Sequence, residues 1–342
     1  REAKDGQIRE EGITETGSMS SFVAAGTAYA THGLNMIPFF IYYSMFGFQR
    51  VGDLIWAAGD ARAKGFLLGA TAGRTTLAGE GLQHQDGHSH LIAIGYPNVR
   101  AYDPAFAYET AVIILAGLRQ MYHEGQDTIF YVTLYNENYL MPAMPEGAVE
   151  GIEKGMYKLS TQIVGQGRPK VQLLSSGPIV RESLRAQQIL AERFDISSSV
   201  SSVTSWKERR REGLAVQRWN MLHPTGPRRT SYIEDLLEKE TGPFIAASDH
   251  VQAVGDLIRP WIPGDYYVLG TGGFGRSDSR QALRRFFEVD AESIVVASLA
   301  RLAREGKVGE EVVAKAIKEL GLEADKSDPL AVQYTFEPPN PA

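Results

Sequence analysis

The chain has 342 residues, 43% hydrophobic, 22% charged and 10% aromatic, a length and balance that predict two cored domains rather than one core or a disordered chain. Its 41 acidic and 35 basic residues leave a formal charge of −6, so the basic footprint of a nucleic-acid-binding protein is missing. No cysteine is present, which excludes disulfides, thiolate-metal sites and a thiol nucleophile.

The polar opening "REAKDGQIREEG" has no initiator methionine and fits a processed terminus or a piece of something longer. No segment has signal-peptide character, so a cytoplasmic location is expected. Met19, Phe22, Val23, Gly26 and Ala30 then fall at helical spacing over 18–31, and Gly33 offers a stop. An extended apolar run, "LNMIPFFIY", follows, in which Pro38 argues against a fully hydrogen-bonded central strand. The longest apolar run, 34–48, has 15 residues broken by Asn35, Pro38 and Ser44, short of the roughly 20 a helix needs to span a bilayer, so no membrane association is expected.

A helix over about 45–63 leads to the buried-strand pattern "GFLLGAT" (65–71) and then to a polar, glycine-rich stretch, 72–90. "LIAIGYP", "VRAYDP", a helix near 105–123 and the strand "TIFYVTLY" (128–135) complete the first series. "NENYLMPAMPEGAVEG" (136–151) is rich in Pro, Gly and Asn and places the domain division near 150, giving domains 1–150 and 151–342. The second series is "KVQLLSS" (170–176), a helix near 179–193, "SSSVSSVTS", "PFIAAS" (243–248), a helix near 249–259, "YYVLGT" (266–271) and helices near 290–304 and 309–320. The basic run "WKERRREG" (206–213) reads as a solvated helix face, and the tail "TFEPPNPA" as disordered. Strands alternating with helices indicate an α/β fold of two three-layer domains with mostly parallel sheets.

The stretch 72–90 is about nineteen residues without periodicity, the kind of long irregular connection that usually carries function. Within it, "GEGLQHQDGHSH" holds three histidines with a glutamate and an aspartate. His84, Asp86, His88 and His90 offer nitrogen and oxygen ligands suited to zinc or manganese, as a metal-dependent hydrolase would use. The same histidines suit general acid-base work, because imidazole titrates near neutrality, or they are simply satisfied in a polar loop. Glu15 sits at the edge of the first apolar helix, where a carboxylate can be held dry. Tyr42, Tyr43, Phe46 and Phe48 sit at a strand-to-helix junction, either as core or as a platform for a flat heterocycle. "GTGGFG" (270–275) matches a dinucleotide fingerprint, but Asp290, twenty residues on, reads as the N-cap of "AESIVVASLARLA" and not as a ribose ligand.

Together "EEGITE", "MIPFFIYYSMFGFQRVGDLIWAAGD", "GRTTLAGEGLQHQDGHSH", "YNENYLMPAMPEG", "RWNMLHP" and "VLGTGGFGRSDSR" resemble the homodimeric, thiamine-diphosphate-dependent pyruvate dehydrogenases of bacterial pyruvate dehydrogenase complexes. The resemblance runs from about residue 6 to about residue 330. It implies a pyrimidine-binding domain followed by a transketolase-type C-terminal domain. It also implies oxidative decarboxylation of pyruvate with reductive acetylation of a lipoyl group on a dihydrolipoyl acetyltransferase. By the same resemblance Glu15 faces the aminopyrimidine, Phe46 packs on it and Tyr43 faces the substrate carboxylate. His84 donates to the developing oxyanion, with Glu80 on the substrate side and His90 a further candidate. The family's magnesium-binding G-D-G motif is absent, so Mg2+ and the diphosphate are expected on a region outside this chain, in a dimer with itself or with a separate chain. Alternative expectations are the metal-dependent hydrolase and a non-catalytic assembly subunit.

Overall fold

Neighbouring residues in the central strands point to opposite sides, and both sides are apolar, as in sheets covered by helices on each face. The computed structural model describes residues 5–330 and contains two such sheets. The first holds β1 (Phe39–Tyr43), β2 (Gly65–Ala70), β3 (Val99–Tyr102) and β4 (Ile129–Thr133), all parallel, in the order β1-β2-β4-β3. Leu67 and Tyr131 pack with Met19, Phe22 and Ile55 on one face, while Phe66 and Phe130 pack with Tyr102, Ile113 and Met121 on the other. Pro38 precedes an edge strand, where the missing N–H costs no ladder bond.

The second sheet holds β5 (Tyr157–Gln162), β6 (Lys170–Ser175), β7 (Ser197–Ser202), β8 (Phe244–Ala247) and β9 (Tyr266–Leu269), in the order β5-β7-β6-β8-β9. Only β5 runs antiparallel, on the edge beside β7, with a register shift between Lys158 and Ser160. Leu173, Val200 and Ile245 pack with Leu190 and Ile294; Leu174 and Phe244 pack with Trp206 and Trp261. The expected α/β class with mostly parallel sheets is therefore the observed one.

Several elements differ in detail. The first helix ends at Gly26, a short turn Ala28–Thr31 follows, and Gly33 sits at φ 64 where the helical stretch stops. In place of one helix near 249–259 there is a short turn, Gln252–Gly255, and a 3-10 segment, Asp256–Trp261, that contains Pro260, which cannot supply a helical N–H. "WKERRREG" does begin a helix, Trp206–Leu222, but its first turn is not solvated: Trp206, Lys207, Glu208 and Arg209 are buried. Lys207 Nζ donates to the carbonyls of Ala93, Tyr96 and Val99 at 2.7, 2.6 and 2.6 Å. Burial pushes this ammonium down to about 8, which leaves it charged at neutral pH. Asp290 caps the helix Ala291–Arg304 by accepting from Ser293 N at 2.9 Å, and "GTGGFG" is a connection from β9 toward the helix Arg280–Phe286. The tail "TFEPPNPA" lies outside the described residues.

Because the strands are parallel, their carboxyl ends share one edge of each sheet, the edge at which open α/β sheets build their sites. The two edges meet. Asp103, just past β3, donates its N–H to Thr204 O at 2.7 Å and accepts from Gly177 N at 3.1 Å.

Candidate active site

The helix Glu15–Gly26 starts at the N-cap Thr14, whose hydroxyl accepts from Gly17 N at 3.3 Å, and this fixes Glu15 in the first turn. Glu15 is not left in a dry pocket without a cation: Arg50 Nη1 donates to Glu15 Oε1 at 3.1 Å. The same guanidinium lies 4.2 Å from the centroid of the Phe46 ring. Sequence reasoning missed Arg50. Its signal was the spacing, since Arg50 follows Phe46 by four residues at the start of a helix.

Tyr43 closes β1, and Phe46 sits on the 3-10 turn Ser44–Phe46 that joins it to the helix Phe48–Asp60. The next strand, β2, empties into the segment 72–88 through Thr71, a β-branched residue held at φ 53. That segment returns His84 to the end of β1. The ring of His84 stands 5.4 Å from Tyr43 and 5.4 Å from Phe46, and these two are 6.1 Å apart. Its Nδ1 is shielded from solvent and has no hydrogen-bond partner, with Glu80 Oε2 at 3.5 Å. Tyr43 is 45% exposed and the Glu80 side chain 41%, so this surface is open to a ligand. Glu15, Tyr43, Phe46, Glu80 and His84, singled out from sequence, thus join through Arg50 into one chain of contacts.

His90 does not belong to that chain. It is buried, with Nε2 3.1 Å from Thr133 Oγ1 and its ring 4.7 Å from His250. Burial, with His250 nearby, brings its imidazole down to about 4. Nor do His84, Asp86, His88 and His90 assemble as a metal cage. Asp86 is spent inside the protein, accepting from Ser44 Oγ, from Gln49 Nε2 at 3.1 Å, and from the amides of His88 and Ser89 at 3.0 and 2.9 Å. Burial opposes its charge, but the field of His250 and these hydrogen bonds hold the carboxyl below the usual range.

Among the described residues, the His/Asp/Glu set whose ligand atoms approach within 4.8 Å of one another is His90, Asp103 and His250. Those atoms are already engaged. Asp103 accepts from Thr133 Oγ1 and Ser176 Oγ, each at 2.6 Å, and from the Tyr135 hydroxyl, while His250 Nε2 lies 3.3 Å from Asp103 Oδ2. Burial penalises both charges, yet each stabilises the other: Asp103 is held well below the carboxylate range and His250 is raised. The arrangement is a buried proton-donor network that pins the carboxyl edge of the first sheet to that of the second.

Residues 1–142 match the family described as pyruvate dehydrogenase E1 component middle domain, and residues 155–290 match the transketolase-like C-terminal domain. The pyruvate dehydrogenase E1 component of Pseudomonas aeruginosa is 56% identical over 331 residues, 96% of this chain and 37% of that protein. The corresponding protein of Escherichia coli strain K12 is 53% identical over the same share of each. This chain therefore spans little more than a third of the length of these relatives. In fold it is similar to a transketolase from Leishmania mexicana, with a TM-score of 0.59 at 17% identity, over 79% of this chain and 34% of that one. No described helix is long and apolar enough to cross a membrane.

Proposed function

This chain belongs to the pyruvate dehydrogenase E1 component family, and on that footing we propose that it carries the pyrimidine half of a thiamine-diphosphate site. The reaction is oxidative decarboxylation of pyruvate with reductive acetylation of a lipoyl group. Residues 1–150 form the pyrimidine-binding domain with its linker, and residues 151–342 the transketolase-like domain. The observation that carries this reading is the continuous contact from Glu15 through Arg50 and Phe46 to Tyr43, His84 and Glu80.

These side chains fit an aminopyrimidine and a 2-oxo acid: a carboxyl for a ring nitrogen, a flat ring for stacking, and a phenol and an imidazole on an open face. When bound, thiamine diphosphate supplies the nucleophilic carbon and the electron sink that loss of carbon dioxide requires. Arg50 donates to Oε1 of Glu15, so the other carboxyl oxygen would be the one to hold a pyrimidine ring nitrogen, and Phe46 would hold the ring by its face. Tyr43 orients the substrate carboxylate, and His84 donates a proton or hydrogen bond to the keto oxygen as it gains charge. Glu80, with Oε2 3.5 Å from His84 Nδ1, stands on the side of the imidazole away from that role and orients it.

The diphosphate and Mg2+ fall to a part of the longer relatives that this chain does not span, contributed by itself or by another chain in a dimer. A lipoyl-bearing dihydrolipoyl acetyltransferase takes the acetyl group, and the location is cytoplasmic. Release of labelled carbon dioxide from pyruvate by the complete enzyme tests the reading. Turnover should vanish in Glu15→Ala and His84→Ala, and the chain of residues 1–342 alone should be inactive with thiamine diphosphate and magnesium. Unchanged turnover in both variants would point to an assembly role instead.

A further inference from the structure

The segment between β2 and the helix Ser89–Ala93 has two buried ends and an open tip. Ala72 to Leu77 are buried, Gly79, Glu80, Leu82 and Gln83 are exposed, and Gln85 to Gly87 are buried again. The tip carries Glu80 and His84; beside the first sheet its ends are held where Ala72 N donates to Leu134 O at 3.0 Å and where Ser44 and Gln49 donate to Asp86, and the second sheet adds clamps of its own. At the leading end stands Asp249, fully buried just past β8. Its Oδ1 accepts from Thr75 N at 2.8 Å, and its Oδ2 accepts from Thr76 N at 3.0 Å and Thr76 Oγ1 at 2.6 Å. Its own carbonyl accepts from Arg74 N at 3.4 Å, and Arg280 Nε donates to Thr76 O at 2.7 Å. Gly73, at φ 88, makes the approach possible, since a Cβ there would lie 2.2 Å from Asp249 Oδ2.

At the trailing end Gln85, beside His84, closes the neck by donating to Leu77 O at 2.7 Å. Its Oε1 accepts from Arg276 N, in the connection after β9, at 2.6 Å. Gly275 is required there, because a Cβ would stand 2.3 Å from that oxygen. The result is a compact loop whose neck is tied at both ends to the second sheet.

We infer that Asp249 is a positioning residue for Glu80 and His84: by holding Thr75 and Thr76 it fixes the loop that sets His84 against Tyr43 and Phe46. The second sheet thereby acts on the reaction without touching substrate. The kinetic side of this inference rests on the function proposed above; the structural side does not.

The test is Asp249→Asn in the complete enzyme. The substitution keeps the shape but turns an amide N–H2 toward donors, so that at least one of the three bonds is lost. Amide hydrogen exchange within residues 78–84 should quicken by about tenfold or more while exchange in β2 and β4 stays unchanged. Pyruvate turnover should fall about tenfold to a hundredfold, in kcat rather than KM, because misplacement by about 1 Å is enough for that loss. In a His84→Ala background the further loss should be less than about twofold, since the two residues act as one unit. Unchanged exchange in 78–84, or the same proportional loss with and without His84, overturns the inference. Should Asp249→Asn fold poorly, Thr76→Val, which removes the hydroxyl that donates to Asp249 and accepts from Arg284 Nη2 at 3.4 Å, decides by the same readouts. An unsubstituted enzyme that releases no carbon dioxide from pyruvate would sink the functional reading, while the exchange comparison still decides the positioning role.

Discussion

Arg50 ties Glu15 to Phe46: its guanidinium donates to Glu15 Oε1 at 3.1 Å and lies 4.2 Å from the Phe46 ring centroid. One cation therefore sets the relative placement of the carboxyl and of the ring proposed to stack on the pyrimidine. Half-exposed as it is, the ion pair is worth less than about 1 kcal/mol to stability. Arg50→Ala should accordingly move the thermal midpoint of the complete enzyme very little but weaken thiamine-diphosphate binding, measured by titration. Glu15→Gln should bind the cofactor yet lose about 10²-fold or more in turnover, because the amide cannot exchange the proton. Equal losses of stability and activity in both variants would argue that the pair is only structural.

His84 and Glu80 are expected to separate kinetically. His84→Ala removes the donor proposed for the developing oxyanion, and the expected result is a loss of about 10²-fold to 10³-fold in kcat with KM little changed. Glu80→Gln leaves the imidazole in place and removes only the carboxylate 3.5 Å from its Nδ1, so the loss in kcat should be smaller than in His84→Ala. A KM effect without a kcat effect in His84→Ala would assign it to binding alone.

Lys207 gives a stability test that owes nothing to catalysis. Its ammonium satisfies three carbonyls, one at the end of the helix Ser89–Ala93 and one on β3, so it fastens the second half of the chain to the first. Lys207→Met keeps the length of the side chain and leaves those acceptors short of a charged donor. The expected cost is about 2 to 3 kcal/mol, measured by chemical denaturation. A cost within about 0.5 kcal/mol, the size typical of a surface site, would restore the solvated reading of "WKERRREG".

That lysine also shows where the sequence was legible and where it was not. The central strands are read easily because both faces of β2, β4, β6 and β8 are apolar, and the resemblance carries Glu15, Tyr43, Phe46, Glu80 and His84. β5 escaped notice because "YKLSTQ" is an edge strand with a mixed face, hard to tell from a loop. Lys207, Asp249 and His250 escaped because their partners are remote in the chain: Lys207 pairs with Ala93, Asp249 with Thr75, and His250 with Asp103. Periodicity reports which face of an element is buried, but not which distant carbonyl or carboxylate waits there. The resemblance offered His90 as a further candidate, and the helix that starts at Ser89 sets its imidazole on Thr133, away from the contacts of His84.

His90 and His250 should give the protein two opposed pH limbs. His250 is raised by Asp103 against the penalty of burial, so its contribution is fully present below the unfolded value of about 6.5 and is lost as pH rises through the raised value. His90 is lowered to about 4 by burial and by the neighbouring His250, so the folded state prefers it neutral. Its contribution is present above about 6.5 and is lost as pH falls toward about 4, where the unfolded chain binds a proton that the folded one refuses. Thermal midpoints measured across pH should thus fall on both sides of a maximum near neutrality. His250→Gln should flatten the alkaline limb, at a cost in overall stability because Asp103 loses its cation. His90→Gln should flatten the acid limb between about 6.5 and about 4, since the amide can still meet Thr133 and has no proton to gain. A limb between about 6.5 and about 4 that survives His90→Gln unchanged would remove His90 from the account, because the lowered carboxyls of Asp86 and Asp103 act only as pH falls below the ordinary carboxylate range.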